Sequence, residues 1–198
     1  MAGIDEQLPF YPLKIAVMTI SDTRTGETDT SGGLLVDRLS EAGHQLAGRA
    51  IVTDDIGAIR AQAQQWVGDP EIEIIVTTGG TGFTERDVTP EAIRPLFRRD
   101  MDGFSILFHQ ASLGTIGVST LQSRAFAGQA GDTFLFCVPG STGACRDAWD
   151  LVLRDEFDSR HLNPPLHPAR PGARYREYLV ASEPCRRRAL PASPGGNF

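Results

Sequence analysis

A second lysine is missing: Lys14 is the only one in the chain, and arginine supplies the rest of its 19 basic residues. A phosphate-binding G-x-x-x-x-G-K-[ST] loop is therefore excluded, and no G-x-G-x-x-G dinucleotide fingerprint occurs. Cysteine is scarce. Cys137, Cys145 and Cys185 share no CxxC spacing, which excludes a disulfide framework and a cysteine zinc site. Cys137, inside FLFCVPG, reads as a small buried hydrophobe, and Cys145 as a helix-packing residue near the loop at 139–142. No run approaches the ~20 apolar residues of a membrane span. The opening MAGIDEQLPFYP lacks the basic-then-apolar order of a signal peptide. A soluble, cytoplasmic protein is expected. An excess of positive charge is also absent, since the net charge is −6, and this argues against general nucleic-acid binding. From residue 163 onward six arginines face two glutamates, so that stretch carries +4 and the residues before it −10. An acidic body that handles polyanions must neutralise them locally, through arginine, backbone N–H groups or a divalent cation.

Glycine is what the chain has in the telling place. Residues 74–92 read IIVTTGGTGFTERDVTPEA: an apolar, β-branched strand runs into Gly79, Gly80, Thr81 and Gly82, and a charged loop with Glu85, Arg86 and Asp87 follows. Three glycines in four residues let backbone N–H groups face an anion without Cβ obstruction. Thr89, Pro90 and Glu91 read as N-cap, N1 proline and acidic first turn of a helix. In an open α/β sheet the carboxyl ends of the strands form the usual ligand crevice, which is where this loop belongs.

Hydrophobic periodicity supplies the frame. Residues 13–20 form a nearly continuous apolar run, as expected of a central strand buried on both faces. Thr30 or Ser31 caps a helix carrying Leu34, Leu35 and Leu39, and Gly43 stops it. A strand at 45–52, a helix at 56–67 opened by Asp54 and Asp55, and a strand at 71–78 complete a β-α-β-α-β series. Pro95 should kink or shorten the helix begun at Thr89. Helical spacing at Phe104, Leu107 and Phe108 gives way to a looser polar run. Residues 125–128 and 133–138 read as a β-hairpin, and Pro139, Gly140, Ser141 and Thr142 start a last helix. The predicted fold class is α/β: a three-layer α-β-α arrangement with a mostly parallel central sheet and a short antiparallel hairpin addition. The expected organisation is an N-terminal arm at 1–12, one domain at 13–163, and a Pro/Arg-rich tail at 164–198, poorly ordered or ordered against another subunit.

The strand-GGTG-x-x-x-RDVTPEA run resembles the signature of the molybdenum cofactor biosynthesis proteins of the MoaB/MogA family, related to the G domain of plant Cnx and to gephyrin. The segments at 30–32, 41–44, 58–62, 119–125 and 139–142 are similar to the MoaB branch in particular, and the resemblance spans residues 13–167. It implies a molybdopterin-binding domain, a homotrimer or homohexamer, and transfer of AMP from ATP to the terminal phosphate of molybdopterin. The family's two functional aspartates map by motif onto Asp54 in VTDD and Asp87 in ERDVTP.

Such a transfer joins two anions, so positioning and charge neutralisation should dominate over base catalysis. Asp54, Asp87 or both would hold Mg²⁺ with ATP, because carboxylate and phosphate oxygens suit that hard ion. Arg86 would meet a phosphate oxygen, with the amides of residues 80–82 cradling the pterin phosphate. Pro139, Gly140 and Ser141 would form a second anion-binding turn, and Ser21, Asp22, Asp29 and Ser31 the remaining rim. Structural alternatives stand beside these roles: Asp54 could simply cap the helix at Ile56, and Asp87 could cap or pair near Thr89. Arg124 and His109 carry no assigned role, and His44, after a helix-ending glycine, reads as a surface residue. A molybdopterin-binding scaffold without catalysis is the competing function. A nucleotide-hydrolysing relative of the competence-damage proteins is disfavoured by Thr81 and the RDVTP run.

Overall fold

The computed structural model describes residues 4–161. Six strands form one sheet in the order β2-β1-β3-β6-β5-β4. β1 (Lys14–Ile20), β2 (Gln45–Val52), β3 (Ile74–Thr78) and β6 (Thr133–Val138) run parallel, while β5 (Phe126–Ala130) and the two-residue β4 (Arg99–Asp100) add antiparallel. The hairpin between β5 and β6 turns at Gly131, whose φ of 60° suits glycine. The sequence pattern did not reveal β4, which is too short to carry an alternation.

The central strands bury both faces, and their alternation sorts the core into two layers. Ile15 and Val17 of β1, Ile74 and Val76 of β3 and Phe136 of β6 face α1 (Thr30–Glu41), α4 (Asp102–Ile116) and α5 (Thr142–Ala148). Ala16, Met18, Ile75, Leu135 and Cys137 face α2 (Ile56–Val67) and α3 (Thr89–Ile93). The three-layer α-β-α prediction is met. Trp149 lies in a π-helical turn that joins α5 to α6 (Arg154–Phe157) and packs on Phe157 at 5.7 Å. Pro95 does shorten its helix: α3 ends at Ile93 and a 3₁₀ turn covers Arg94–Leu96.

Two helix starts differ from the sequence reading, and a third is decided between the two neighbours it offered. Asp29, not Thr30 or Ser31, caps α1 by accepting from Gly32 N–H at 2.9 Å. Asp55, not Asp54, caps α2 by accepting from Ala58 N–H at 2.8 Å. Thr89 is already helical, with Val88 at the cap position. His44 is a further correction, since it is buried among Phe10, Trp149 and Phe157 and its Nδ1 accepts from Leu13 N–H. The arm preceding β1 pairs with residues after α6, through the Ile4 and His161 bridge and the Tyr11 N–H donation to Ser159 Oγ at 2.8 Å. The predicted tail at 164–198 lies outside the described residues. Among the described residues no helix is long and apolar enough to cross a membrane.

Candidate functional site

A cavity of about 410 Å³ opens at the carboxyl ends of β1, β3 and β6. Its back is made by glycine backbone. Gly79 has φ of 113°, and its amide donates to Val138 O at 3.1 Å, which ties the end of β3 to the end of β6. A Cβ on Gly140 would lie 3.2 Å from the Gly79 Cα, so the two turns touch main chain to main chain. Thr89 stitches the far side: its Oγ1 donates to Gly79 O at 2.9 Å and its amide to Gly80 O at 3.0 Å. The hydroxyl read as a helix cap instead holds the glycine turn shut.

Of the residues nominated from sequence, Ser21, Ser31, Asp54, Gly79, Gly80, Thr81, Gly82, Arg86, Asp87, Pro139 and Gly140 line this cavity. Asp22, Asp29 and Ser141 do not. Asp22 pairs with Arg86 and accepts the Asp54 amide at 3.0 Å, so it braces two loops at the mouth. Asp29 sits one bond behind the wall, bound to Gly32 N–H, Thr19 Oγ1 and Arg49. Ser141 caps α5 through Ala144 N–H at 3.1 Å. These three hold the frame that the lining residues stand on. The amide of Gly82 is also not free to meet a ligand alone, because it faces the Asp87 carboxylate.

The two aspartates share the cavity but not their surroundings. Burial pushes the Asp54 carboxyl above its ordinary value, and the charge of Asp87 pushes the same way. Among the described residues no donor reaches it. Burial also acts upward on Asp87, but the Thr84 hydroxyl, the Thr84 and Gly82 amides and the charge of Arg124 outweigh it and hold that carboxyl below its ordinary value. Thr84 Oγ1 lies 2.6 Å from Asp87 and Thr84 N 2.9 Å. Asp87 is thus a fixed anion, and Asp54 an anion short of a counter-charge.

The model of a domain described as "Probable molybdopterin binding domain" matches residues 16–159. Molybdenum cofactor biosynthesis protein B of Escherichia coli K12 is 46% identical over 159 residues, covering 80% of this chain and 94% of that protein. The chain belongs to the MoaB family of molybdenum cofactor biosynthesis proteins. The Staphylococcus carnosus member is 44% identical over 149 residues, 74% of this chain and 87% of its own length. A crystal structure of a molybdenum cofactor biosynthesis protein B shares 40% identity at a TM-score of 0.72, covering 74% of this chain and 92% of that one.

Against that family background, Thr19, Arg24, Thr84, Gln122 and Ser123 also line the cavity, and the sequence reading gives none of them a role there. Arg24 is locked by Thr28 O at 2.7 Å, inside the loop that follows β1. Its signal was position: it lies two residues beyond Asp22, in a loop already assigned to the crevice. Gln122 ends a 3₁₀ turn far along the chain and Ser123 follows it; their signal was the 119–125 segment similar to the MoaB branch, which gave neither residue a role. Cys145 is buried beside Thr78 Oγ1 at 3.1 Å, and burial pushes its thiol up to about 12, so it packs rather than reacts.

Proposed function

We propose that this MoaB-family protein binds molybdopterin in the cavity at the strand ends and transfers AMP to its terminal phosphate from ATP. The observation that carries the reading is the pair of unlike carboxylates, Asp54 and Asp87, facing one glycine-backed cavity. A phosphate oxygen of molybdopterin forms the bond to the α-phosphorus of ATP, the bond from that phosphorus to the bridging oxygen breaks, and pyrophosphate leaves. A phosphate monoester is ionised at neutral pH, so no strong base is required.

The residues present fit Mg²⁺ as the cation of ATP. Asp54 is an anion without a donor, and a carboxylate in that state calls for positive charge. Among the described residues no three His, Cys, Asp or Glu side chains converge as a metal cage, so the substrate phosphates would complete the ligand set, as is usual for this ion. Bound by Asp54 and Asp87, Mg²⁺ would neutralise charge on the triphosphate. The chain's own part is to orient. Amides of residues 80 and 81 cradle the pterin phosphate, and Arg24 and Arg86 at the mouth draw in the triphosphate.

Incubation with molybdopterin, ATP and Mg²⁺ should yield adenylated molybdopterin and pyrophosphate, separable by chromatography. Asp87→Ala should abolish product while leaving molybdopterin binding largely intact. Binding without product in the unaltered protein would favour the scaffold reading, and absence of both would end the proposal. The same reading includes a cytoplasmic setting and a trimer or hexamer, for which the exposed Ile106, Leu107, Leu113 and Ile116 of α4 offer an apolar face. Light scattering on the purified chain tests that assembly.

A further inference from the structure

Arg124 comes from the short segment between the 3₁₀ turn at Gly117–Gln122 and β5, and it closes on a loop that lies far away in sequence. Its Nε donates to Gly82 O at 2.7 Å, one terminal nitrogen to Asp87 O, and the other to the Glu91 carboxylate. Its own amide donates to Thr81 O at 2.8 Å. The ring of Phe83 lies over the guanidinium, 5.6 Å away. One residue therefore gathers three carbonyls of the loop that holds the glycines and Asp87.

The consequence follows from peptide geometry. In a trans peptide the N–H points opposite to the C=O, and no cis bond occurs among the described residues. Drawing the Thr81 and Gly82 carbonyls to Arg124 turns the amides of Gly82 and Phe83 to the other side, and the Gly82 amide is the one that faces the Asp87 carboxylate. A segment with three glycines in four residues has many other backbone states open to it, so this orientation must be imposed from outside.

We propose that Arg124 is the positioning residue of the site: without touching substrate, it holds Asp87 and the glycine loop in the arrangement that adenylyl transfer requires. Lysine could supply the charge but not the fork that spans three acceptors. Only the kinetic arm of the proposal rests on the adenylyl-transfer reading.

The test compares Arg124→Lys and Arg124→Ala with the unaltered protein. In hydrogen exchange on the free protein, amides of residues 80–88 should exchange at least about tenfold faster in both variants, while those of β1 and β3 stay unchanged. With molybdopterin, ATP and Mg²⁺, kcat should fall about 100-fold while KM for ATP moves less than about threefold. Added guanidinium ion should restore kcat in Arg124→Ala, because Arg124 also borders an open cleft with Pro90, Ser105 and Ala125 through which that ion can enter. Unaltered loop exchange in both variants, deprotection spreading to β1 and β3, or a raised KM with kcat intact would each overturn the proposal. If the unaltered protein makes no product, the reaction assigned above fails, and the exchange measurement still decides whether Arg124 holds the loop.

Discussion

Asp54 and Asp87 are two copies of one residue type made unlike by what surrounds them. Asp54 is held above its ordinary pKa by burial and by the charge of Asp87, so its anion is disfavoured in the folded state. The linked contribution is present at low pH and is lost as pH rises through its ordinary value of 3.8 toward the raised folded one. Asp54→Asn should therefore raise the melting temperature at neutral pH, with the gain shrinking as pH is lowered below that range; thermal melts at several pH values read it directly. Asp87 behaves oppositely, contributing stability above 3.8 that is lost as pH falls through its depressed folded value, so Asp87→Ala should lower the melting temperature at pH 7. A site residue whose removal stabilises is the pattern expected where function, and not folding, dictates the choice. Gly80 gives the steric counterpart. With φ of 61° and Thr89 Oγ1 where a Cβ would stand, Gly80→Ala should cost about 2 kcal/mol or more in urea titration.

At the scale of elements, the capping corrections share one cause. A helix register is set by the residues it must bury, here Leu35 and Leu39 in α1 and Ile59, Ala63 and Trp66 in α2. The register then decides which polar neighbour falls at the cap. That puts Asp55 at the cap of α2 and leaves the adjacent Asp54 free to face the cavity. Adjacent carboxylates cannot be told apart by composition, and only the position of the helix against the sheet separates them. Ser141 fell the other way, from expected ligand to cap of α5. Ser141→Ala should lose about 1 kcal/mol of stability in chemical denaturation, the usual worth of such a cap.

Across the whole molecule, the carboxylate of Asp29 joins three elements. It caps α1, accepts from Thr19 of β1 at 2.8 Å and pairs with Arg49 of β2 at 3.0 Å. Its side chain has no exposed surface, so Asp29→Ala would strand a hydroxyl and a cation and should cost about 2–4 kcal/mol by urea titration. The charge balance is also a property of the whole. Residues before 163 carry −10, and a body so acidic should bind ATP at least about tenfold more weakly when the divalent cation is chelated. Calorimetric titration with and without a chelator measures this, and equal affinities would contradict it.

The order of elements, the parallel sheet, the hairpin and the crevice after β3 were legible in the chain, because burial on two faces and the glycine run leave one-dimensional patterns. Asp54 and Asp87, which line the cavity, stood out in the chain through their motifs. What the sequence did not carry was each side chain's occupation. That Asp29 braces rather than lines, that Thr89 closes the glycine turn, and that Arg124 gathers the loop carbonyls all depend on partners 10 to 42 positions away. Periodicity reports which face a residue presents to the core. Which hydrogen bonds a polar group makes is decided only when folding brings distant donors and acceptors within about 3 Å of one another.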